Sequence, residues 1–103
     1  MSIAIHFAPP AMTAAQYDEV TSRLADAGLG HPVGRESHVC FGEASKLQVL
    51  DVWTSMEAFQ RFGETLFPII ASLGIDPGQP SILPAHNVIT PAVNVITPAT
   101  TAV

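Results

Sequence analysis

Charge is scarce in this chain. Only 13% of its 103 residues are Asp, Glu, Lys or Arg, about half of the ~25% usual in soluble domains. Beyond Asp76 there is none of the four through to Val103. The few charges sum to −5 with no basic cluster, so the electrostatic footprint of nucleic-acid binding is missing. No apolar run approaches the length of a membrane span. The start, Met1-Ser2-Ile3-Ala4-Ile5-His6, has no basic segment before an apolar stretch, so no secretory signal is expected and a cytoplasmic protein is. Cys40 is the only cysteine, which excludes an internal disulfide and a cysteine-rich zinc site. No P-loop, G-x-G-x-x-G, G-x-S-x-G or H-E-x-x-H pattern occurs.

The chain does have apolar residues. A hydrophobic share of 48% is enough to build one core in one domain of ordinary size. Ile3 to Phe7 is a short apolar run closed by Pro9-Pro10 and reads as a strand. Thr13-Ala14-Ala15-Gln16 is a capping-box pattern. Behind it Tyr17, Val20, Leu24 and Ala27 recur at helical spacing, which predicts a helix from Thr13 to Ala27 ending at Gly28 and Gly30. Ser37–Gly42 and Lys46–Trp53 are strands joined through Glu43-Ala44-Ser45, hence a hairpin. Thr54-Ser55-Met56-Glu57 is a second capping box. It opens a helix whose stripe is Phe59, Phe62, Leu66, Ile69, Ile70 and Leu73; Pro68 inside it predicts a kink or a split near Phe67. Asp76-Pro77-Gly78 is a turn, and Ser81 to about Ile89 is a last strand with Pro84 favouring an edge.

The order β-α-β-β-α-β is the ferredoxin-like α+β arrangement, two helices on one face of an antiparallel sheet, over residues 1–90. The strands are apolar at both parities, Leu47 and Val49 on one side and Leu50 and Val52 on the other, so the second face also needs cover. A second copy, sheet face to sheet face, is the expected partner. Residues 91–103 form an uncharged tail. Asn87-Val-Ile-Thr-Pro-Ala-Val is followed at once by Asn94-Val-Ile-Thr-Pro-Ala-Thr. The prolines and β-branched residues exclude a coiled-coil heptad. Two readings stay open: a flexible duplicated tail, or an extended arm pairing with the partner subunit.

Three histidines, His6, His38 and His86, fall on expected strands; His31 lies in a loop. They either serve structural roles or converge on one cavity as acid, base or ligand. They lack metal-type spacing, and no metal is expected. If the hairpin turn is centred on Ala44-Ser45, His38 lies opposite Asp51 and Cys40 opposite Val49, with opposed Cβ atoms ~4.5–5.5 Å apart. A His–Asp pair fixes one imidazole tautomer and raises its basicity, as a general base requires; a slip of one residue abolishes it. Asp51 and Trp53 share a face. Trp53 is either core or a pocket wall that stacks on a flat ligand, and Tyr17 can bring a phenol to the same cavity. Cys40 sits in an apolar strand, where a thiolate is disfavoured.

The segment Asp51-Val-Trp53-Thr-Ser55-Met-Glu57-Ala58-Phe59 resembles the dimeric α+β barrel superfamily, in its antibiotic-biosynthesis-monooxygenase-like branch. Members often end the third strand with acidic-x-Trp and open the next helix with Ser/Asp-x-Glu-Ala. The resemblance spans roughly residues 1–90. It implies a homodimer closing into a barrel, with a pocket in each subunit between sheet and helices. For some members it implies oxygenation of aromatic polyketides by molecular oxygen without metal or flavin, so no cofactor is expected. Trp53 maps onto a pocket-bordering Trp. Relatives often carry a His in the second helix where this chain has Phe62, and no His stands where a haem ligand would.

Two functions are in view. One is a cofactor-independent, monooxygenase-like enzyme for an apolar or aromatic small molecule. There His38 and Asp51 would move the proton, and Trp53, Tyr17, His6 and His86 would contact substrate. The alternative is a non-catalytic dimer that binds a ligand or partner.

Overall fold

The computed structural model describes residues 1–91 and the backbone of 94–96. Four strands, β1 (Ile3–Phe7), β2 (Arg35–Glu43), β3 (Lys46–Trp53) and β4 (Ser81–Pro84), form one antiparallel sheet in the order β2-β3-β1-β4. Helices α1 (Ala14–Asp26) and α2 (Met56–Ser72) cover one face. This is the ferredoxin-like α+β arrangement expected from the element order.

Local signals account for the helix ends. Thr13 Oγ1 accepts from the Gln16 amide at 3.1 Å, and Gln16 Oε1 accepts from the Thr13 amide at 2.9 Å, so two otherwise orphaned donors are satisfied reciprocally. For α2 the cap is Ser55, one residue later than the Thr54 expected: its Oγ accepts from the Ala58 amide at 3.1 Å. Both helices stop the same way. Gly28 and Gly74 take φ of 79° and 69°, and the next amides, of Leu29 and Ile75, reach back to Leu24 and Ile70 at 2.8 and 3.1 Å, which satisfies terminal carbonyls. Pro68 does not split α2, which runs unbroken through it. Pro68 and Glu64, one turn earlier, are both exposed, so the carbonyl that Pro68 leaves without a donor stands on the wet side of the helix.

Side-chain parity divides the sheet. Cα partners share a face, and the register sets Ile5 beside Asp51, which faces His38, and Ile3 beside Trp53. These residues point toward the helices. The core there is aromatic: Trp53 is wholly buried, with ring centroids of Phe62 and Phe59 at 5.1 and 5.7 Å. The other parity leaves Val39, Phe41, Leu50 and Leu83 between 39 and 64% exposed. The strands are therefore apolar on both faces, and among the described residues only one face is covered.

The end of the chain departs from expectation. One last strand to Ile89 is replaced by two. β4 stops at Pro84, opposite Ile3 where β1 begins, and past it the Ala85 amide still donates to the Ser2 carbonyl at 2.9 Å. Pro84 does sit on an edge strand, as expected. Beyond it β5 (Asn87–Ile89) pairs antiparallel with β6 (Asn94–Ile96) in a separate two-stranded sheet, Val88 opposite Val95. The first copy of the repeat thus pairs with the second in its own chain. The rest of the duplicated tail, 92–93 and 97–103, lies outside the described residues.

Gly34 holds the β2 end against α2. Its φ is 93°, and a Cβ there would stand 2.6 Å from Ala58 Cβ. Gly34→Ala is expected to destabilise the fold by at least ~1–3 kcal/mol from backbone strain alone, read as a lower denaturation midpoint in urea; an unchanged midpoint would contradict the close approach.

Candidate functional site

The β2–β3 hairpin has the register on which the His38–Asp51 geometry depends. Glu43 pairs with Lys46 across the two-residue Ala44-Ser45 turn, and the ladder then sets Cys40 opposite Val49 and His38 opposite Asp51. Asp51 is 4% exposed, and a buried carboxylate needs partners. It has two: His38 Nδ1 lies 2.5 Å from Oδ1, and Trp53 Nε1–H donates to Oδ2 at 3.3 Å. On the other side of the imidazole, the Tyr17 hydroxyl of α1 lies 2.5 Å from His38 Nε2, its ring nearly parallel to the imidazole at 6.0 Å. Because Asp51 accepts, His38 Nδ1 carries the proton and donates. Nε2 is then the acceptor for the Tyr17 O–H.

The result is a chain of four groups, Tyr17–His38–Asp51 with Trp53 behind. It has the logic of a nucleophile–histidine–carboxylate triad with a phenol at the open end. Asp51 holds the tautomer and would stabilise an imidazolium formed when Nε2 takes a proton. Burial pushes the Tyr17 phenol above its ordinary value of 10.0; the charges of Cys40 and Asp51 add to this, and Arg35 opposes it. The resting form is therefore the phenol.

Tyr17 is the only tyrosine, so tyrosinate absorbance reads it alone. The expected midpoint in the folded protein lies above 10.0. A pKa raised in the folded state contributes stability that is present below the unfolded value and is lost as pH climbs through the folded one. Circular dichroism should therefore hold up to pH ~10 and decline above it. A midpoint at or below 10 would contradict the burial of this phenol.

Tyr17, His38 and Asp51 open onto a cavity of about 260 Å³ between the sheet and the helices. Its remaining wall is mostly apolar, including Phe7, Met12, Val20, Leu24, Val49, Phe62, Leu66 and Ile70, with Arg35 and Thr21 as the other polar lining residues. The size lies just under the ~300 Å³ lower end of small-molecule pockets.

Three of the expected substrate contacts are not brought here. Trp53 does not line the cavity; it is sealed under Phe59 and Phe62, and its polar end serves Asp51. His6 has the parity opposite to Ile5 and lies on the uncovered face, with Nε2 2.9 Å from Gln48 Oε1 and its ring stacked on Phe41 at 6.0 Å. His86 is exposed in the link between β4 and β5. Among the described residues no three His, Cys, Asp or Glu side chains cluster as metal ligands would. Burial pushes the Cys40 thiol up, and the Asp18 charge adds to this, so the thiolate is disfavoured.

Sequence reasoning missed Arg35. It belongs to β2, but an irregularity between Arg35 and Ser37 inserts Glu36 as an extra residue. That bulge gives Arg35 the same facing as His38, three positions on, where strict alternation would oppose them.

A four-stranded antiparallel sheet with two helices on one face is the fold of solved structures described as candidate antibiotic biosynthesis monooxygenases. No protein-family model matches the chain, and no curated protein matches it. Solved structures do. The chain is similar to SnoaB, a cofactor-independent oxygenase from Streptomyces nogalater, with a TM-score of 0.57 and 19% identity over 85% of this chain and 94% of that one. It is similar to a candidate antibiotic biosynthesis monooxygenase from Caulobacter crescentus CB15, with a TM-score of 0.57 and 21% identity over 80% of this chain and 85% of that one. A third, from Chloroflexus aurantiacus J-10-fl, gives 0.57 and 18% over 81% and 91%. At these identities the likeness is one of fold. Among the described residues no helix is long and apolar enough to cross a membrane.

Proposed function

We propose that this protein is a homodimeric, monooxygenase-like enzyme that removes a proton from an apolar aromatic small molecule held between its sheet and helices, and that molecular oxygen then attacks the resulting anion. The observation that carries this reading is the Tyr17–His38–Asp51 chain ending in an otherwise apolar cavity. The substrate proton passes to the Tyr17 oxygen as the Tyr17 proton passes to His38 Nε2, and Asp51 faces the imidazolium that forms. A ring methylene acidified by a carbonyl, either beside it or conjugated with it through an aromatic ring, is the fitting substrate group. One oxygen atom replaces its two hydrogens as a new carbonyl, and the other leaves as water. The substrate supplies all the electrons, so the balance needs no further reductant.

The test is dioxygen uptake with anthrone and 2-tetralone as probes, with labelled oxygen traced into product by mass spectrometry. One labelled atom per product above the heat-denatured control supports oxygenation; uptake equal to that control for both probes counts against it. Tyr17→Phe should lower the rate by about 10²–10⁴-fold, the range of general acid–base contributions. An undiminished rate would remove Tyr17 from the proton path.

The uncovered sheet face supports the dimer. Its centre is Ala4, Val39, Phe41, Leu50, Val52 and Leu83 around the His6–Gln48 pair, without a charged side chain. Exposed apolar patches of this kind mark association surfaces, and a second copy offers the same uncharged surface in return. Leu50→Glu, which puts a carboxylate at its middle, should yield a monomer in sedimentation velocity at concentrations where the parent chain sediments as a dimer. A parent chain that sediments as a monomer would end the homodimer reading.

A further inference from the structure

The cavity wall contains one permanent positive charge, Arg35. The bulge at Glu36 turns this residue to the helix side of the sheet, and Ser2 Oγ hydrogen-bonds the Glu36 carboxylate, so the extra residue is anchored and the arginine is held on the cavity side. Two contacts position the guanidinium. Nη2 donates to the Gly30 carbonyl at 3.3 Å, and the central carbon lies 5.8 Å from the centre of the Phe62 ring. Neither contact neutralises it. Among the described residues no carboxylate lies within ion-pair distance of Arg35, whereas Arg23 is paired with Glu19 at 2.9 Å. A guanidinium has five N–H donors, and the bond to Gly30 engages one nitrogen, so a fork suited to a two-oxygen anion stays available at an otherwise apolar wall.

We infer that Arg35 is a specificity-determining residue, which selects aromatic ligands bearing an anionic oxygen, a carboxylate or an ionised phenol, over neutral aromatics of the same shape. This rests on the reading of the cavity as a ligand site and adds to it the chemical class of the ligand. Arg35 and His38 lie along one face of β2, with Trp53 and Asp51 as their respective cross-strand neighbours. A ligand anchored through its oxygen at Arg35 therefore presents its ring toward the Tyr17 hydroxyl. In a protein with a net charge of −5, long-range attraction does not bring anions in, so the selection is local to this side chain.

The test is binding, measured by titration calorimetry at pH 7 with three two-ring probes: 2-naphthoate, the ionised phenol 2,4-dinitro-1-naphthol, and the neutral naphthalene-2-methanol. The parent chain should bind an anionic probe about tenfold or more tighter than the neutral one, the worth of a hydrogen bond to a charged group. Arg35→Gln should bring the ratio close to one while leaving the neutral probe's affinity in place. Arg35→Lys should keep part of the preference, since it keeps the charge and loses the fork. Whichever anion binds tighter identifies the oxygen, and either result supports the inference. Equal binding of all three by the parent chain, or a preference that survives Arg35→Gln, overturns it. Absence of binding by any probe overturns the cavity reading along with it. Because no turnover is measured, a protein that binds as expected but consumes no oxygen refutes only the oxygenase reading. Thermal unfolding of each variant guards against loss of fold: Arg35→Lys retains the contact on Phe62 and should melt with the parent.

Discussion

Trp53→Ala should remove most of the fold's stability. The indole is wholly buried, and two phenylalanine rings stand within 6 Å of it. Truncating a buried Trp or Phe to alanine costs about 3–5 kcal/mol in lost burial and residual cavity, against a total of ~5–15 kcal/mol for an ordinary domain. The same change withdraws the N–H that serves Asp51 Oδ2, leaving a buried carboxylate with one donor fewer. The variant should show a much lower thermal midpoint or be partly unfolded at 25 °C by near-ultraviolet circular dichroism. Trp53→Phe, which keeps most of the volume and loses the N–H, separates the two terms: its stability should lie between. If Trp53→Ala melted with the parent and lost only ligand affinity, Trp53 would be a stacking wall, contrary to its burial under Phe59 and Phe62.

Asp51→Asn should abolish turnover while leaving the fold nearly intact. The amide is isosteric, but it can offer its N–H₂ to His38 Nδ1, which favours the tautomer with the proton on Nε2. That nitrogen then cannot accept from Tyr17, and an imidazolium would face no negative charge. Such a change in a histidine–carboxylate pair brings losses of about 10³–10⁴-fold. The oxygen-uptake rate with anthrone should fall into that range, with binding of the naphthalene probes changed far less. A rate reduced only two- or threefold would show that the carboxylate serves structure and not proton transfer. His38→Gln offers a cross-check, since it should be as slow as Asp51→Asn, and the double variant should be no slower than either, as groups acting in one unit are not additive.

How much of this site is legible without the fold depends on which rule governs each residue. The hairpin obeys plain alternation from Ser37 to Trp53 around a short turn, so the facing of His38 and Asp51 comes from counting outward from Ala44-Ser45. Tyr17 is placed by helical spacing behind the Thr13 cap, with Val20 and Leu24 buried on its helix. His6 is open to correction by the same counting: Ile3, Ile5 and Phe7 alternate with it, and these three apolar residues cannot share a face with His6. Arg35 is beyond counting, because a bulge adds one residue without leaving a mark in composition. Whether Trp53 borders the cavity or lies beneath it depends on where Phe59 and Phe62 settle, a matter of packing between elements that parity does not determine. His86 fails with the strand meant to carry it, since the ladder of β4 has no partner on β1 beyond Pro84.

The polar residues of the cavity lining all come from one part of the chain, although its apolar residues come from both. Every side chain there that carries a charge, a hydroxyl or an imidazole, namely Tyr17, Thr21, Arg35, His38 and Asp51, comes from the stretch ending with β3, while the chain after β3 contributes only Phe62, Leu66, Ile70, Ile75 and Pro77. Reactivity and shape are therefore separately editable. Exchanges of one apolar residue for another at Leu66, Ile70 or Ile75 would reshape the volume offered to a ligand, leaving the proton-handling groups where they stand. Such a chain can be re-aimed at new molecules by variation at those three positions, and libraries meant to alter ligand choice can start there.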